Sequence, residues 1–290
     1  NLDFDFFFEG NRKKSFENKL KKYFKNIIIY CSYLSKFKLK IESSNSFPHS
    51  SGIASSASSY CALSLCIMDI EKKIDPSIDN QRFLRKASFL ARLGSGSACR
   101  STKGSYSMWG KSNVFPMASN LFSIEYPEKV NEIFNTLCDT ILIVDKQKKK
   151  FSSTDGHMLM QNHPFSIARI SQAKDNLLLI KNALELGDLK LFIKVVESEA
   201  LSLHSMMMTS DPQFILMKPN TLKIIDEIWE YRKKTKSNVC FTLDAGANVH
   251  LIYPQEEFDS IQKFINLKLL IFRESGKFIN DKIGIGPLKL

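Results

Sequence analysis

Leu2, Phe4, Phe6 and Phe8 recur at every second position, the period of a half-buried strand. Over residues 15–34 the period changes to that of a helix, with Phe16, Leu20, Tyr23, Phe24 and Ile27 on one face. Residues 36–42 alternate again through Phe37, Leu39 and Ile41, which predicts a second strand. A polar segment, 43–52, leads into a helix over 53–70 that is small at its start and apolar later. Residues 79–93 form another, with Phe83, Leu84, Ala87, Leu90 and Leu93 at helical spacing. A short strand is expected at 106–109. The apolar run from Thr140 to Val144 predicts a buried strand over 139–145. Helices follow at 166–186, 188–208 and 221–235, the last with Ile224, Ile225, Ile228 and Trp229 turned inward. Strands at 239–243 and 249–253 flank the turn 244–248; a helix over 255–266 and a strand over 268–273 come after it. There is no internal repeat.

Helices mixed with hairpin-like strands predict an α+β fold. The lysine-rich run 146–150 reads as the divide between two lobes, residues 1–145 and 146–290, with ligands expected between them. The chain opens inside a strand pattern and without Met, so residues are expected to be missing before Asn1, leaving the N-terminal lobe incomplete. A chain of 290 residues, 43% hydrophobic and 24% charged, has the composition of a folded globular protein. Its longest apolar run, around residues 27–30, falls far below the roughly 18 residues of a membrane span, so no membrane partner is expected.

The net charge of +11 would attract anions, yet the lysines are spread along the chain, and no nucleic-acid-binding motif is present. No nucleic-acid partner is expected. The six cysteines show no C-x-x-C pairing and mostly apolar surroundings, as buried thiols in a reducing cytoplasm would. The five histidines have no metal-ligand spacing.

Candidate chemistry lies in short segments rich in glycine and serine. In residues 94–101, two glycines break the preceding helix and give backbone amides close access to a ligand. Ser95, Ser97 and Ser101 add hydroxyls, and Arg100 adds a planar fork suited to carboxylate or phosphate. Taken alone, the segment reads equally as a serine-rich loop after a helix end, with Arg100 as a structural ion-pair partner. In residues 45–57, Pro48 and Gly52 shape a loop that runs into a helix N-terminus, where unpaired amides and the helix dipole favour phosphate. An N-cap with small residues for close packing has the same composition. The segment lacks the lysine of the common nucleotide-binding loop. Asp244, in the turn before Gly246, is a candidate base or an ordinary turn residue.

The run Pro48-His-Ser-Ser-Gly-Ile-Ala-Ser-Ser56 resembles the phosphate loop of the GHMP small-molecule kinases, written P-x-x-x-G-L-[GA]-S-S. Gly94-Ser-Gly-Ser-Ala-Cys-Arg-Ser101 resembles one branch of them, the diphosphomevalonate decarboxylases. Residues 152–157 lie where that branch carries a substrate loop, and Phe241-Thr-Leu-Asp-Ala-Gly-Ala-Asn248 is similar to its T-x-D-A-G-P-N segment. The motifs stand in family order from Asn45 to Asn248, and residues 203–206 and 283–287 also fit.

The resemblance implies a two-lobed GHMP-kinase-like fold with ATP, Mg²⁺ and 5-diphosphomevalonate in the cleft, in a cytoplasmic homodimer of the isoprenoid pathway. ATP would phosphorylate the tertiary 3-hydroxyl; phosphate and CO₂ would then leave to give isopentenyl diphosphate. Asp244 and Arg100 would be catalytic. Ser50, Ser51, Gly52, Ile53, Ala54, Ser55 and Ser56 would hold the ATP phosphates, with Ser55 and Ser56 as candidate Mg²⁺ ligands. Ser95, Gly96, Ser97 and Ser153 would hold the substrate diphosphate, and Arg100 its carboxylate. Ala247 stands where the family has proline, Ser105 where glycine is common, and His49-Ser50-Ser51 where Thr-Ala-Ala is frequent. The family's N-terminal Lys-Tyr-Trp-Gly-Lys-like segment is not in this sequence. A related kinase that does not decarboxylate, and an inactive binding protein, are the alternative readings.

Overall fold

Parallel pairing of two short strands across a helix begins the chain. The computed structural model describes residues 2–47, 53, 55–145, 162–272 and 278–289. Strand β1 (Asp3–Phe8) pairs antiparallel with β2 (Asn11–Arg12) through Glu9 and Gly10, both at positive φ (49° and 75°), as a two-residue hairpin turn requires. Helix α1 (Lys14–Ile27) then crosses to β3 (Lys38–Ser43), which runs parallel to β1 with Phe6 opposite Ile41. The expected helix over 15–34 stops early. After Ile27 comes a turn and a 3₁₀ segment, Ser32–Lys36, because the β-branched run Ile27-Ile28-Ile29 is a poor helix former.

Helices α2 (Ser55–Ile74) and α3 (Asn80–Gly94) complete the core of this first unit. The helical face read from the sequence is the one that is buried: Leu20, Tyr23, Phe24 and Ile27 pack with Phe6, Ile67, Met68 and Leu90. Asp79 caps α3 by accepting the amide of Arg82 at 2.7 Å. A 3₁₀ turn, Gly96–Thr102, follows, and then the small pair β4 (Ser107–Met108) and β5 (Ile124–Glu125).

The second unit is built on an antiparallel sheet ordered β7-β8-β6-β9. These strands are β6 (Leu137–Leu142), β7 (Cys240–Thr242), β8 (Val249–Pro254) and β9 (Phe278–Lys282). Its helices are α4 (Ser166–Leu186), α5 (Leu189–Met208), α6 (Pro219–Thr235) and α7 (Phe258–Phe264). Leu142, Val249, Leu251 and Tyr253 from one sheet face meet Ile224, Ile225 and Ile228 of α6 in a closed core. Trp229, read as inward with those isoleucines, is 40% exposed.

Two sequence expectations differ here. The strand expected over 268–273 is not found in its described residues, 268–272; α7 continues as a π turn, Ile265–Leu269, and a 3₁₀ turn, Leu270–Phe272. Strand β9, polar and mostly exposed, gave no alternating signal. The units also change over near 127/128 rather than at 145, since β6 is an inner strand of the second sheet. Residues 284–289 return to the first unit, where Ser105 N donates to Gly284 O at 2.8 Å and Lys289 pairs with Asp69. Among the described residues no helix is long and apolar enough to cross a membrane.

Candidate active site

In the first unit, the start of α2 and the turn after α3 come together. The Oγ atoms of Ser56 and Ser95 lie 3.4 Å apart, although 39 residues separate them. This contact unites the two segments that the sequence singled out as anion receptors. Ser55 is half-buried and Ser56 exposed in the first turn of α2, while Ile53 lies half-buried just before it. Ser58 and Ser59 bond back to the carbonyls of Ser55 and Ser56 and so belong to the helix itself. Ser50, Ser51, Gly52, Ala54 and Ser153 lie outside the described residues.

The glycines of the second segment serve packing. A Cβ on Gly94 would sit 2.3 Å from the Tyr60 ring, and one on Gly96 would sit 3.1 Å from Trp109. Helix α3 therefore runs through Gly94 and is pressed against α2 there, which sets Ser95 beside Ser56. Ser95 and Ser97 are half-buried, and Gly96 is exposed. Ala98 and Cys99 turn fully inward while Arg100 turns out to solvent. Among the described residues no carboxylate pairs with the Arg100 guanidinium, so the ion-pair explanation finds no partner there. Burial pushes the Cys99 thiol up to about 11 against the opposing charge of Arg100, so Cys99 stays a neutral thiol at physiological pH.

An apolar cavity of about 300 Å³ lies between the β1–β3 pair and α2, lined by Phe6, Ile41, Leu63 and Ile67. Ser55, Ser56 and Ser59 line it too, but the residues from Ser95 to Arg100 do not.

In the second unit, Asp244 occupies the turn between β7 and β8 and is exposed, whereas Ala245, Gly246, Ala247 and Asn248 beyond it are buried. Three tethers hold this turn. His204 on α5 donates from Nε2 to the carbonyl of Asp244 at 3.1 Å, and Thr221 on α6 donates to the carbonyl of Ala247 at 2.7 Å. The Asn248 side-chain oxygen accepts the amides of Val144 and Asp145 at 2.8 and 3.1 Å, tying the turn to the end of β6. Gly246 N closes the turn on the Asp244 carbonyl at 2.6 Å. Sequence reading placed Asp244, but it gave no role to these three anchors; a buried polar residue within an apolar face, as His204 is on α5, was the available signal.

A network below the turn steadies β7. Glu197 of α5, 8% exposed, accepts Arg232 Nη1 and Nη2 at 2.6 and 3.0 Å and the Trp229 indole N–H at 3.0 Å. The hydrogen bond and charge of Glu197 hold the Arg232 pKa above its ordinary value. On the sheet, Asp139 of β6 lies 2.8 Å from His250 Nδ1 of β8. Burial alone would lower the His250 pKa, but the bond and charge of Asp139, with the charges of Asp244 and Asp281, raise it overall.

Two family models match the chain. The diphosphomevalonate decarboxylase-like N-terminal domain matches residues 4–119, and the mevalonate 5-diphosphate decarboxylase C-terminal domain matches residues 140–283. Diphosphomevalonate decarboxylase of Ganoderma lucidum is 28% identical over 259 residues, which cover 87% of this chain and 61% of that relative. The chain thus spans under two thirds of the relative's length. The crystal structure of mevalonate diphosphate decarboxylase from Staphylococcus aureus superposes with a TM-score of 0.81 at 26% identity, covering 99% of this chain and 82% of that one. A complex of MDDEF with MVAPP, AMPPCP and magnesium gives a TM-score of 0.82 at 23% identity, with the same coverage, and likewise shows the shared fold. Matched in this way over both of its halves, the chain belongs to the diphosphomevalonate decarboxylase family.

Proposed function

We propose that the protein carrying this chain converts 5-diphosphomevalonate and ATP to isopentenyl diphosphate, ADP, phosphate and CO₂. The observation that carries this reading is Arg100: an exposed guanidinium on a 3₁₀ turn, beside Ser95 and Ser97, with no carboxylate partner among the described residues. A planar fork of this kind binds a carboxylate through two parallel hydrogen bonds. Ser95, Gly96 and Ser97 next to it offer hydroxyls and amides for the substrate diphosphate, and Ser153 is assigned there by the family motif.

The Ser95–Ser56 contact brings the start of α2 to that turn, which supports reading the two segments together. Ser50, Ser51, Gly52, Ile53, Ala54, Ser55 and Ser56 are assigned to the ATP phosphates, at a helix end whose dipole favours anions. The hydroxyls of Ser55 and Ser56 are the oxygen donors a hard cation takes, so they fit Mg²⁺. Bound there, Mg²⁺ would neutralise phosphate charge.

Asp244 has the exposure a base needs and a turn held from three sides. It orients the tertiary hydroxyl and takes its proton as the oxygen bonds to the γ-phosphorus and ADP leaves. Decarboxylation then balances within the substrate. The bond from C2 to the carboxylate breaks, its electron pair forms the C2–C3 double bond, and the C3–O bond breaks to release phosphate. Arg100 holds the carboxylate in line for that cleavage. The same reading takes the protein as a cytoplasmic homodimer acting on small molecules.

Incubation with ATP, Mg²⁺ and 5-diphosphomevalonate tests the proposal. Equal amounts of ADP, phosphate, CO₂ and isopentenyl diphosphate are expected. ADP without CO₂ would leave a kinase that does not decarboxylate, and no turnover at all would overturn the reading.

A further inference from the structure

Three buried hydroxyls converge on one main-chain oxygen immediately before Arg100. The carbonyl of Cys99 accepts Ser88 Oγ at 2.9 Å, Ser123 Oγ at 2.5 Å and Thr102 Oγ1 at 2.9 Å. The amide of Ser123 in turn donates to Ser88 Oγ at 2.9 Å. Exposure of the three residues is 0%, 2% and 3%, and that of Cys99 is 0%. They reach the same oxygen from the middle of α3, from the segment before β5 and from the 3₁₀ turn itself.

A carbonyl oxygen has two lone pairs, so three hydroxyls more than saturate it, and the Oγ atoms of Ser88 and Ser123, 3.2 Å apart, can also bond to each other. A mid-helix serine commonly bonds to the carbonyl one turn back; Ser88 instead spends its hydroxyl on a peptide eleven residues away. Pinning the Cys99 carbonyl inward fixes the plane of the Cys99–Arg100 peptide. The next side chain then leaves the surface in one direction, which is where the exposed guanidinium of Arg100 begins. A buried network of this kind is rigid only while every member is satisfied.

We infer that Ser88, Ser123 and Thr102 are positioning residues that aim Arg100 at the substrate carboxylate. This inference rests on the role of Arg100 proposed above. It explains why interior hydroxyls cluster where an apolar core would otherwise be cheaper, and why they meet at this peptide.

The test uses Ser88→Ala, Ser123→Ala and Thr102→Val, with Thr102→Ser as the conservative control, each alone and combined with Arg100→Ala. Amide hydrogen exchange over residues 96–103 should accelerate in the first three variants. Their kcat/KM for 5-diphosphomevalonate should fall by about ten- to hundredfold, the scale of a small misplacement of a binding group. Thr102→Ser should stay within about twofold of the parent, and in the Arg100→Ala background the hydroxyl variants should change kcat/KM by no more than about twofold. Variants that lose thermal stability yet keep kcat/KM, or that lose the same factor without Arg100, would overturn the inference. If the parent protein turns over no 5-diphosphomevalonate, the functional reading fails and the inference falls with it; in an active parent, unchanged exchange at 96–103 in the hydroxyl variants overturns the positioning role alone.

Discussion

His204 Nε2 meets the main-chain carbonyl of Asp244 at 3.1 Å, joining α5 to the turn between β7 and β8. A carbonyl only accepts, so Nε2 carries a proton in this bond. With His204 only 1% exposed, water cannot replace the bond. His204→Phe keeps an aromatic ring but loses the donor, and it should cost about 1–3 kcal/mol in urea unfolding. Turnover should fall along with stability. A variant as stable as the parent would show that the bond contributes nothing to holding the turn.

Asp244 itself is exposed, so Asp244→Asn should unfold within about 0.5 kcal/mol of the parent. Turnover should drop roughly 10²–10⁴-fold, the usual contribution of a positioned base. Arg100→Lys should lower kcat/KM by about ten- to hundredfold, since an ammonium cannot form both arms of the fork. Near-normal steady-state rates in either variant would remove that residue from the chemistry.

Glu197 links α5 to Arg232 and Trp229 of α6 and lies beneath β7. Removing it leaves Arg232 without its carboxylate. A fully buried pair loses about 3–5 kcal/mol on such a break, but water reaches part of Arg232, so Glu197→Ala should cost about 2–4 kcal/mol. Calorimetry would measure it, and a loss below about 1 kcal/mol would mean that solvent replaces the pair.

Periodicity exposed the elements whose burial is one-sided. Leu20, Tyr23, Phe24 and Ile27 of α1 read as one face and are one face, as do Ile224, Ile225 and Ile228 of α6. It failed where a short apolar run fits two periods. Residues 268–273 read as a strand, yet Ile261, Ile265 and Leu269, all fully buried, carry helical spacing through α7 into the π turn. The segments proposed to bind anions stand out in the sequence because glycine, serine and arginine cluster locally. What holds them was not. The bonds from His204 to Asp244 and from Ser88 to Cys99 join residues distant in sequence, and no local pattern encodes such pairing.

Ser105 stands where glycine is common in the resembled motif, and its φ is +48°. Its amide donates to Gly284 O at 2.8 Å, so the segment cannot relax without losing that bond. A left-handed non-glycine residue costs about 1–2 kcal/mol, while glycine there adds about 0.5–1 kcal/mol of unfolded-state entropy. Ser105→Gly should therefore stabilise the protein by about 0.5–1 kcal/mol, seen as a higher Tm. An unchanged or lower Tm would show that the turn is not strained.

The Asp139–His250 pair makes stability depend on pH in a stated direction. Burial works against the imidazolium, but the bond and charge of Asp139, helped by Asp244 and Asp281, leave the folded His250 pKa above its ordinary value. The folded state therefore binds the proton more tightly than the unfolded chain does. That contribution is complete below the unfolded histidine pKa of about 6.5, and it is lost as pH rises through the higher folded value. Wild type should thus lead His250→Asn by most near pH 5–6, roughly, with the lead shrinking above about pH 6.5. Asp139→Asn should weaken that dependence, because burial then meets only the charges of Asp244 and Asp281. Denaturant midpoints taken from about pH 5 to 9 would measure the difference, and a lead that grows with pH would reverse the assignment.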